Sequence, residues 1–199
     1  MFCFTKVKGI IFDLDDTLVH ANLNFAEIKA AVGCAPEDDI LTHIQNISCA
    51  EKRNEAAATV LRYELEDAQT SRLIRGAGHF VERALAAQLP LAIVTRNCQQ
   101  ATQIKLHQND IPIDTVLTRE DAAPKPDPEA LLHIASMWRN ERQFELSEIA
   151  YIGDYKYDIE AAHNAGMQAW LYTYCATNIR YEDGLRYISK SESPLNLEL

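Results

Sequence analysis

A short apolar strand that ends abruptly in carboxylates is the feature that most constrains this chain. Residues 7–12 are mostly β-branched, aliphatic or aromatic, which is typical of a buried strand. Asp13 and Asp15 follow at once, in the run Asp-Leu-Asp-Asp-Thr. Because alternate residues of an extended backbone point the same way, both carboxylates can face one ligand. Buried carboxylates need a cation, hydrogen-bond donors or a catalytic use, although the cluster alone also fits a solvated turn.

Three later segments place further polar residues beside predicted strands or in a stiff loop. Thr95 ends a second apolar run, Lys125 lies in a proline-rich loop, and Asp154 follows a third apolar run, with Asp158 one helical turn further on. Each residue alone has an ordinary interpretation as a strand end, a solvated charge or a turn. In this order, at strand ends, they indicate one site at the carboxyl edge of an α/β sheet.

Together these four segments resemble the motifs of the haloacid dehalogenase superfamily of phosphotransferases. The motifs are, in order, Asp13-Leu14-Asp15-Asp16-Thr17, Thr95, Lys125 and the segment from Gly153 to Asp158. The resemblance extends to about Tyr172 and is strongest to phosphatases similar to phosphoglycolate phosphatase and β-phosphoglucomutase, which carry a helical cap. It implies an α/β fold with a Rossmann-like, doubly wound parallel sheet and an inserted α-helical cap.

The resemblance also implies a role for each motif residue. Asp13 would be the nucleophile that forms an aspartyl-phosphate, and Asp15 would be the general acid and base. Thr95 and Lys125 would bind the phosphoryl group, Lys125 as a point charge that also contacts the nucleophile. Arg96 is a further candidate for the substrate phosphate, with a salt bridge to an acidic residue as the alternative.

Mg²⁺ is the cofactor that the resemblance implies. Its predicted ligands are Asp13, Asp154 and the backbone carbonyl of Asp15, with Asp158 acting directly or through water. Magnesium takes only one or two carboxylates and keeps several waters, which fits this set. The chain departs from the family pattern at Tyr155, where a small hydroxyl or amide residue is common, but both acids remain.

Helical signals fill the interval between the first two motifs. Asn24 predicts a helix start and Gly33 its end, Pro36 could open a second helix, and a capping box at Ser48 predicts a third. No good strand candidate occurs between residues 19 and 75. The resemblance places a mobile cap here, although an ordinary helical layer packed on the sheet is the alternative.

Strands and helices alternate along the remainder of the chain, which favours a parallel sheet with helices on both faces. The predicted division is a core domain of residues 1–19 and 76–199 and a cap domain of residues 20–75. The family's strand order, which the sequence alone does not establish, places the first strand beside the strand that precedes Asp154.

Composition excludes several functional classes. A net charge of −10 argues against nucleic-acid and anionic-membrane partners, and no apolar run is long enough to span a membrane. The five cysteines are scattered and without a Cys-x-x-Cys pair, which predicts free thiols and a cytoplasmic location. The expected partner is a small phosphorylated metabolite, bound by a monomer or homodimer.

The sequence thus predicts a Mg²⁺-dependent phosphatase that hydrolyses a small phosphomonoester. A phosphomutase of the same superfamily is the nearest alternative, and a receiver-like phospho-aspartate signalling domain is the alternative from another class. Asp15, Asp158 and the helical insert count against the receiver. Dehalogenase chemistry is disfavoured because a halide leaving group needs no proton from Asp15, and a catalytically dead scaffold is disfavoured because no motif residue is missing.

Overall fold

A six-stranded sheet organises the protein, whose computed structural model describes residues 2–139, 143–178 and 180–192. The strands of the described residues are β1 (Gly9–Phe12), β2 (Val19–His20), β3 (Arg72–Leu73), β4 (Leu91–Val94), β5 (Thr115–Leu117), β6 (Ile149–Gly153), β7 (Gln168–Tyr172) and β8 (Leu185–Ile188). The main sheet has the order β5-β4-β1-β6-β7-β8. Its strands are parallel except at the β7–β8 edge, which is antiparallel.

The central position of β1 determines where the motif residues meet. Phe12 pairs with Ile93 of β4 on one side and with Ile152 of β6 on the other. The expected pairing of the first strand with the strand before Asp154 is therefore confirmed. The carboxyl ends of three parallel strands lie side by side at this point, where the chain connections diverge to the two halves of the sheet.

Helices cover both faces of the sheet, as predicted. The helices of the described residues are α1 (Phe25–Val32), α2 (Ile40–Asn46), α3 (Ala50–Ala68), α4 (Ala77–Ala86), α5 (Gln99–Gln108), α6 (Glu129–Arg139) and α7 (Lys156–Ala165). Phe80 of α4 packs in one core cluster with Phe12, while Ile134 of α6 and Ile159 of α7 pack with Ile11 in the other. None of the described helices has both the length and the apolar character needed to cross a membrane.

The insert between β2 and β3 has a small apolar core of its own. Ile28, Ile44 and Val60, from α1, α2 and α3, are buried together. Asn24 accepts a hydrogen bond from the backbone N–H of Glu27 at 3.2 Å, and Gly33 ends α1 in a left-handed conformation with φ of 68°. The predicted start and end of this helix are confirmed.

The starts of the next two helices differ from the sequence prediction. Helix α2 begins at Ile40 rather than near Pro36, because the Asp39 side chain accepts bonds from both the N–H and the hydroxyl of Thr42. The capping box predicted at Ser48 is wrong. Cys49 is the N-cap of α3 and makes no side-chain capping bond, which leaves Ser48 outside the first helical turn.

Two short strands correct the expectation that the interval contains none. Strands β2 and β3 pair antiparallel, with Val19 opposite Leu73 and His20 opposite Arg72. Each is two residues long, too short to give a readable alternation of polar and apolar residues. The insert therefore leaves and rejoins the core through neighbouring, paired strands.

Candidate active site

Asp13 lies at the carboxyl end of β1 and is almost fully buried. Its backbone N–H donates to the carbonyl of Ile152 at 2.8 Å, which continues the β1–β6 pairing by one residue. Its carboxylate forms an ion pair with Lys125, with 2.8 Å between Oδ1 and Nζ. The next side chain, Leu14, is buried in the core. The strand thus presents Asp13 at the sheet edge because both neighbouring residues are anchored by backbone pairing or packing.

Asp13, Asp154 and Asp158 form an acidic cluster at this edge. One carboxylate oxygen from each lies within 4.8 Å of the others. Burial raises the pKa of Asp13 to about 7, an effect that Lys125 opposes and Asp158 reinforces. Burial, followed by repulsion from Asp13 and Asp158, raises the pKa of Asp154 to about 8. Three carboxylates against one ammonium leave two negative charges uncompensated, so the donor set fits a divalent cation.

Asp158 is held by donors on several sides. Its Oδ1 accepts bonds from Lys125 Nζ at 2.6 Å and from the hydroxyl of Tyr151 at 2.9 Å. Its Oδ2 accepts the backbone N–H of Tyr155 at 3.0 Å. Asp158 is thus held in position to bind Lys125. Tyr151 was not predicted from the sequence, because it lies within an apolar strand and belongs to no motif.

The departure from the family pattern at Tyr155 does not disturb this arrangement. Only the backbone of Tyr155 contacts Asp158, while its side chain is exposed. The neighbouring Gly153 is constrained instead, because a Cβ there would lie 2.3 Å from Cγ of Asp158. A glycine at the end of β6 is therefore required for Asp158 to reach Lys125.

Asp15 is bound by two residues that the sequence reasoning did not select. Lys105 Nζ lies 2.5 Å from Oδ1, and the side-chain amide of Asn97 donates to Oδ2 at 2.9 Å. Burial disfavours the charged amine of Lys105, but the nearby carboxylates of Asp15 and Asp67 outweigh this and hold its pKa above the ordinary value. The available signal was spacing: Lys105 falls four residues after the buried Ala101 on α5.

Thr95 is buried just beyond β4 and is oriented by the following loop. Its Oγ1 accepts bonds from the backbone N–H and the side-chain amide of Asn97, both at 3.2 Å. Since a hydroxyl has one proton and two lone pairs, the accepted bonds leave its O–H available to donate to a ligand. Asn97 therefore contacts both predicted residues, Thr95 and Asp15.

Arg96 turns away from these residues toward the insert. Its guanidinium forms a salt bridge with Asp39, the N-cap of α2, at 2.5 Å, and lies 5.1 Å from the ring centroid of Tyr157. The salt bridge to an acid, the alternative considered from the sequence, is the arrangement observed. A contact between Arg96 and the substrate phosphate stays a prediction.

Two further ion pairs join α3 of the insert to the core. Glu64 pairs with Arg119, and Asp67 pairs with Lys105 at 2.7 Å. Ala68, which follows Asp67, packs in a small apolar cluster with Cys98 and Ala101 at the start of α5. The insert is thus docked beside the sheet edge through buried charges as well as apolar contacts.

Comparison with known proteins agrees with this geometry. A family model described as haloacid dehalogenase-like hydrolase matches residues 10–171. A haloacid dehalogenase-like hydrolase domain-containing protein of Arabidopsis thaliana is 28% identical over 176 residues, covering 81% of this chain and 69% of that protein.

Solved structures show the same fold. A predicted phosphoglycolate phosphatase from Haemophilus somnus gives a TM-score of 0.64 at 22% identity, covering 90% of this chain and 91% of that one. A hydrolase from Pseudomonas syringae gives a TM-score of 0.67 at 21% identity, covering 82% of both chains. Because the family model matches most of this chain, residues 10–171, and because the motif residues meet at one edge of the sheet, the chain belongs to the haloacid dehalogenase-like hydrolase family.

Proposed function

We propose that this protein is a Mg²⁺-dependent phosphatase that hydrolyses a small phosphomonoester through an aspartyl-phosphate on Asp13. The observation that carries the proposal is the convergence of Asp13 and Asp154, at adjoining strand ends, with Asp158 of α7 and Lys125 of the loop before α6. Phosphoryl transfer depends mainly on positioning and on neutralising charge around the transferred group, and this edge of the sheet supplies both.

In the first step, a carboxylate oxygen of Asp13 attacks phosphorus and the ester P–O bond breaks toward the leaving oxygen. Asp15, in its protonated form, transfers its proton to that oxygen, so an alcohol leaves rather than an alkoxide. Lys125, 2.8 Å from Asp13, holds the nucleophile and attracts the phosphoryl oxygens. Thr95 donates its hydroxyl proton in a hydrogen bond to one of those oxygens.

In the second step, the carboxylate of Asp15 removes a proton from a water molecule, whose oxygen attacks phosphorus. The bond between phosphorus and the Asp13 oxygen breaks, which releases inorganic phosphate and restores both aspartates. The hydrogen bond from Asn97 and the ion pair with Lys105 hold Asp15 in place for both transfers.

The proposed metal ligands are the carboxylates of Asp13 and Asp154 and the backbone carbonyl of Asp15, with Asp158 contributing through water. When bound, Mg²⁺ neutralises the carboxylates and the phosphoryl oxygens as charge builds up between them. Asp158 already binds Lys125, Tyr151 and the N–H of Tyr155, which is why we assign it the indirect role.

We also propose that residues 20–75 act as a cap that restricts the site to small esters. Support comes from the separate apolar core of the insert and from its docking beside Asp15 through Asp67 and Lys105. A closed cap excludes bulk water from the reaction and leaves room only for a small leaving group. We expect phosphorylated metabolites to be better substrates than folded phosphoproteins.

The test is phosphate release by the purified protein from a panel of phosphorylated metabolites and from p-nitrophenyl phosphate, with and without Mg²⁺. Intact-mass measurement after rapid quenching should show a transient phosphoenzyme, and chelation should stop turnover until Mg²⁺ is restored. Full turnover in excess chelator would contradict the metal site. A phosphoenzyme that persists in water, and turns over only with a sugar phosphate, would indicate the phosphomutase instead.

A further inference from the structure

Lys105 is a buried lysine that belongs to none of the four motifs, yet it contacts the motif residue Asp15. The side chain is fully buried on α5, with Nζ 2.5 Å from Asp15 and 2.7 Å from Asp67. Asp15 belongs to the core, whereas Asp67 lies near the end of α3 in the insert. One ammonium therefore joins a motif carboxylate of the core to a helix of the insert.

Asp67 is itself fixed to the point where the chain enters the insert. Its Oδ1 accepts the backbone N–H of Asn22 at 2.7 Å, while Oδ2 faces Lys105. Asn22 follows β2 by two residues. The position of Lys105 is thus tied to the linker and to α3 at the same time.

Asp15 depends on few contacts for its orientation. Lys105 holds Oδ1 and Asn97 holds Oδ2, so the two partners together fix the rotation of the carboxylate. Each oxygen has two lone pairs, which leaves capacity for a bond to substrate or water. Without Lys105, the bond from Asn97 would be the one remaining side-chain contact of this carboxylate among the described residues, and the carboxylate could rotate about it.

We propose that Lys105 is a positioning residue for Asp15, and that its ion pair with Asp67 makes this positioning depend on the docked insert. The inference rests on the proposed role of Asp15 as general acid and base. The ion pairs of Lys105 are with Asp15 and Asp67 and not with Asp13, so in this proposal Lys105 acts through the orientation of Asp15. Undocking α3 withdraws Asp67, and Lys105 is then held by Asp15 alone.

The experiment compares Lys105→Met and Asp67→Asn with the wild-type protein on two substrates. An alkyl phosphate needs a proton on its leaving oxygen, whereas 2,4-dinitrophenyl phosphate does not. General acid catalysis contributes roughly 10²- to 10⁴-fold. We therefore expect Lys105→Met to lower the rate of phosphoenzyme formation, measured by rapid quenching, at least about tenfold more for the alkyl ester than for the aryl ester. Asp67→Asn should give a smaller loss with the same substrate dependence.

Arg62→Met is the matched control, because it breaks an exposed ion pair within α3 and leaves the contact between Asp67 and Lys105 in place. It should slow both substrates by similar factors. A crystal structure of Lys105→Met supplies a readout independent of activity, and should show the Asp15 carboxylate rotated from its place beside Asn97.

Equal losses in the rate of phosphoenzyme formation from both substrates in Lys105→Met, or the same substrate dependence in Arg62→Met, would overturn the proposal. An unchanged Asp15 in the Lys105→Met structure would overturn it even if no substrate were turned over. If Lys105→Met does not fold, Asp67→Asn decides by the same criteria. Absence of phosphate release from every ester by the wild-type protein would instead refute the proposed function.

Discussion

Two buried lysines, Lys125 and Lys105, each lie between two aspartates, but they join different parts of the molecule. Lys125 links Asp13 to Asp158, both in the core, at 2.8 and 2.6 Å. Lys105 links Asp15 in the core to Asp67 in the insert, at 2.5 and 2.7 Å. The contacts are alike in chemistry and distance. They differ in what carries the second aspartate. Asp158 lies on α7, which packs on the main sheet, whereas Asp67 lies on α3 of the docked insert.

This difference separates two requirements of the site. The Lys125 region gathers the groups that we propose bind phosphate and metal, and its geometry follows from contacts within the core, namely the β1–β6 pairing and the bonds that hold Asp158. The Lys105 region holds the proposed proton-transfer group, and its geometry depends on how the insert packs. Docking of the insert and the position of Asp15 are therefore connected through one side chain, that of Lys105.

The largest expected effect separates the two aspartates of the first motif. Asp13→Asn should lower turnover of every substrate about a thousandfold or more, since an amide is a poor nucleophile and no phosphoenzyme forms. Asp15→Asn should slow phosphoenzyme formation strongly for alkyl esters and weakly for aryl esters, while hydrolysis of the phosphoenzyme slows for both. Rapid-quench kinetics measure the two steps, and near-normal turnover by Asp13→Asn would contradict its assignment.

Replacing each lysine should sharpen the comparison further. Removing one partner of a buried ion pair costs roughly 3–5 kcal/mol in the free energy of unfolding, so Lys125→Met and Lys105→Met should be destabilised alike in urea titrations. Lys125→Met should slow alkyl and aryl esters equally, because every transferred phosphoryl group needs that charge. A leaving-group dependence in Lys125→Met would mean that the two regions are not distinct in function.

The dependence of stability on pH should differ between the two regions in metal-free protein. Asp13 and Asp154 have folded-state pKa values of about 7 and about 8, above the unfolded value near 4. The folded state thus holds up to two extra protons between pH 4 and 8, and stability should fall as pH rises through this window, by up to roughly 1 kcal/mol per pH unit for each extra proton.

Saturating Mg²⁺ should flatten this slope, since a bound cation favours the ionised carboxylates. In metal-free protein, Asp154→Asn should reduce the slope of the free energy of unfolding against pH, whereas Asp67→Asn should leave this slope unchanged. Urea titrations from pH 5 to 8.5 measure the slope of each variant. A slope that persists unchanged in Asp154→Asn would show that these carboxylates are not its source.

The smallest expected effect concerns the residue that departs from the family pattern. Tyr155→Ser keeps the backbone N–H that Asp158 accepts and removes an exposed ring, so the free energy of unfolding should change by no more than about 0.5 kcal/mol. Gly153→Ala is its contrast, because the added Cβ would collide with Asp158. If Tyr155→Ser abolished Mg²⁺-dependent stabilisation, the ring would have a role that its contacts do not explain.

What the sequence could predict follows the same division. The acids at the ends of β1 and β6 were found because a buried strand followed by carboxylates is a strong local signal, and the resemblance supplied their pairing. Lys105 was missed because a lone lysine among the polar residues of α5 gives no such signal, and its partner Asp67 is 38 positions earlier in the chain. Strand β8 was missed because Leu185–Ile188 is short and pairs only at an edge.

Helix boundaries show the same limit at smaller scale. Asn24 was identified correctly because its own side chain caps the helix. The start of α3 was placed wrongly because Ser48 and Glu51 match a motif without making its bonds. Local sequence determines where a helix begins only if no long-range contact also constrains that helix. The docking of α3 on α5 is such a contact.

The pairing of β2 with β3 has a topological consequence. Since Val19 and His20 lie opposite Leu73 and Arg72, the entry and exit of the insert form the two arms of an interrupted hairpin. A side branch attached in this way can lengthen or shorten without altering the strand order, because the cost of closing a loop grows only slowly with its length. A chain shortened to a simple turn here would keep its acidic sheet edge, but Lys105 would have only Asp15 as a partner.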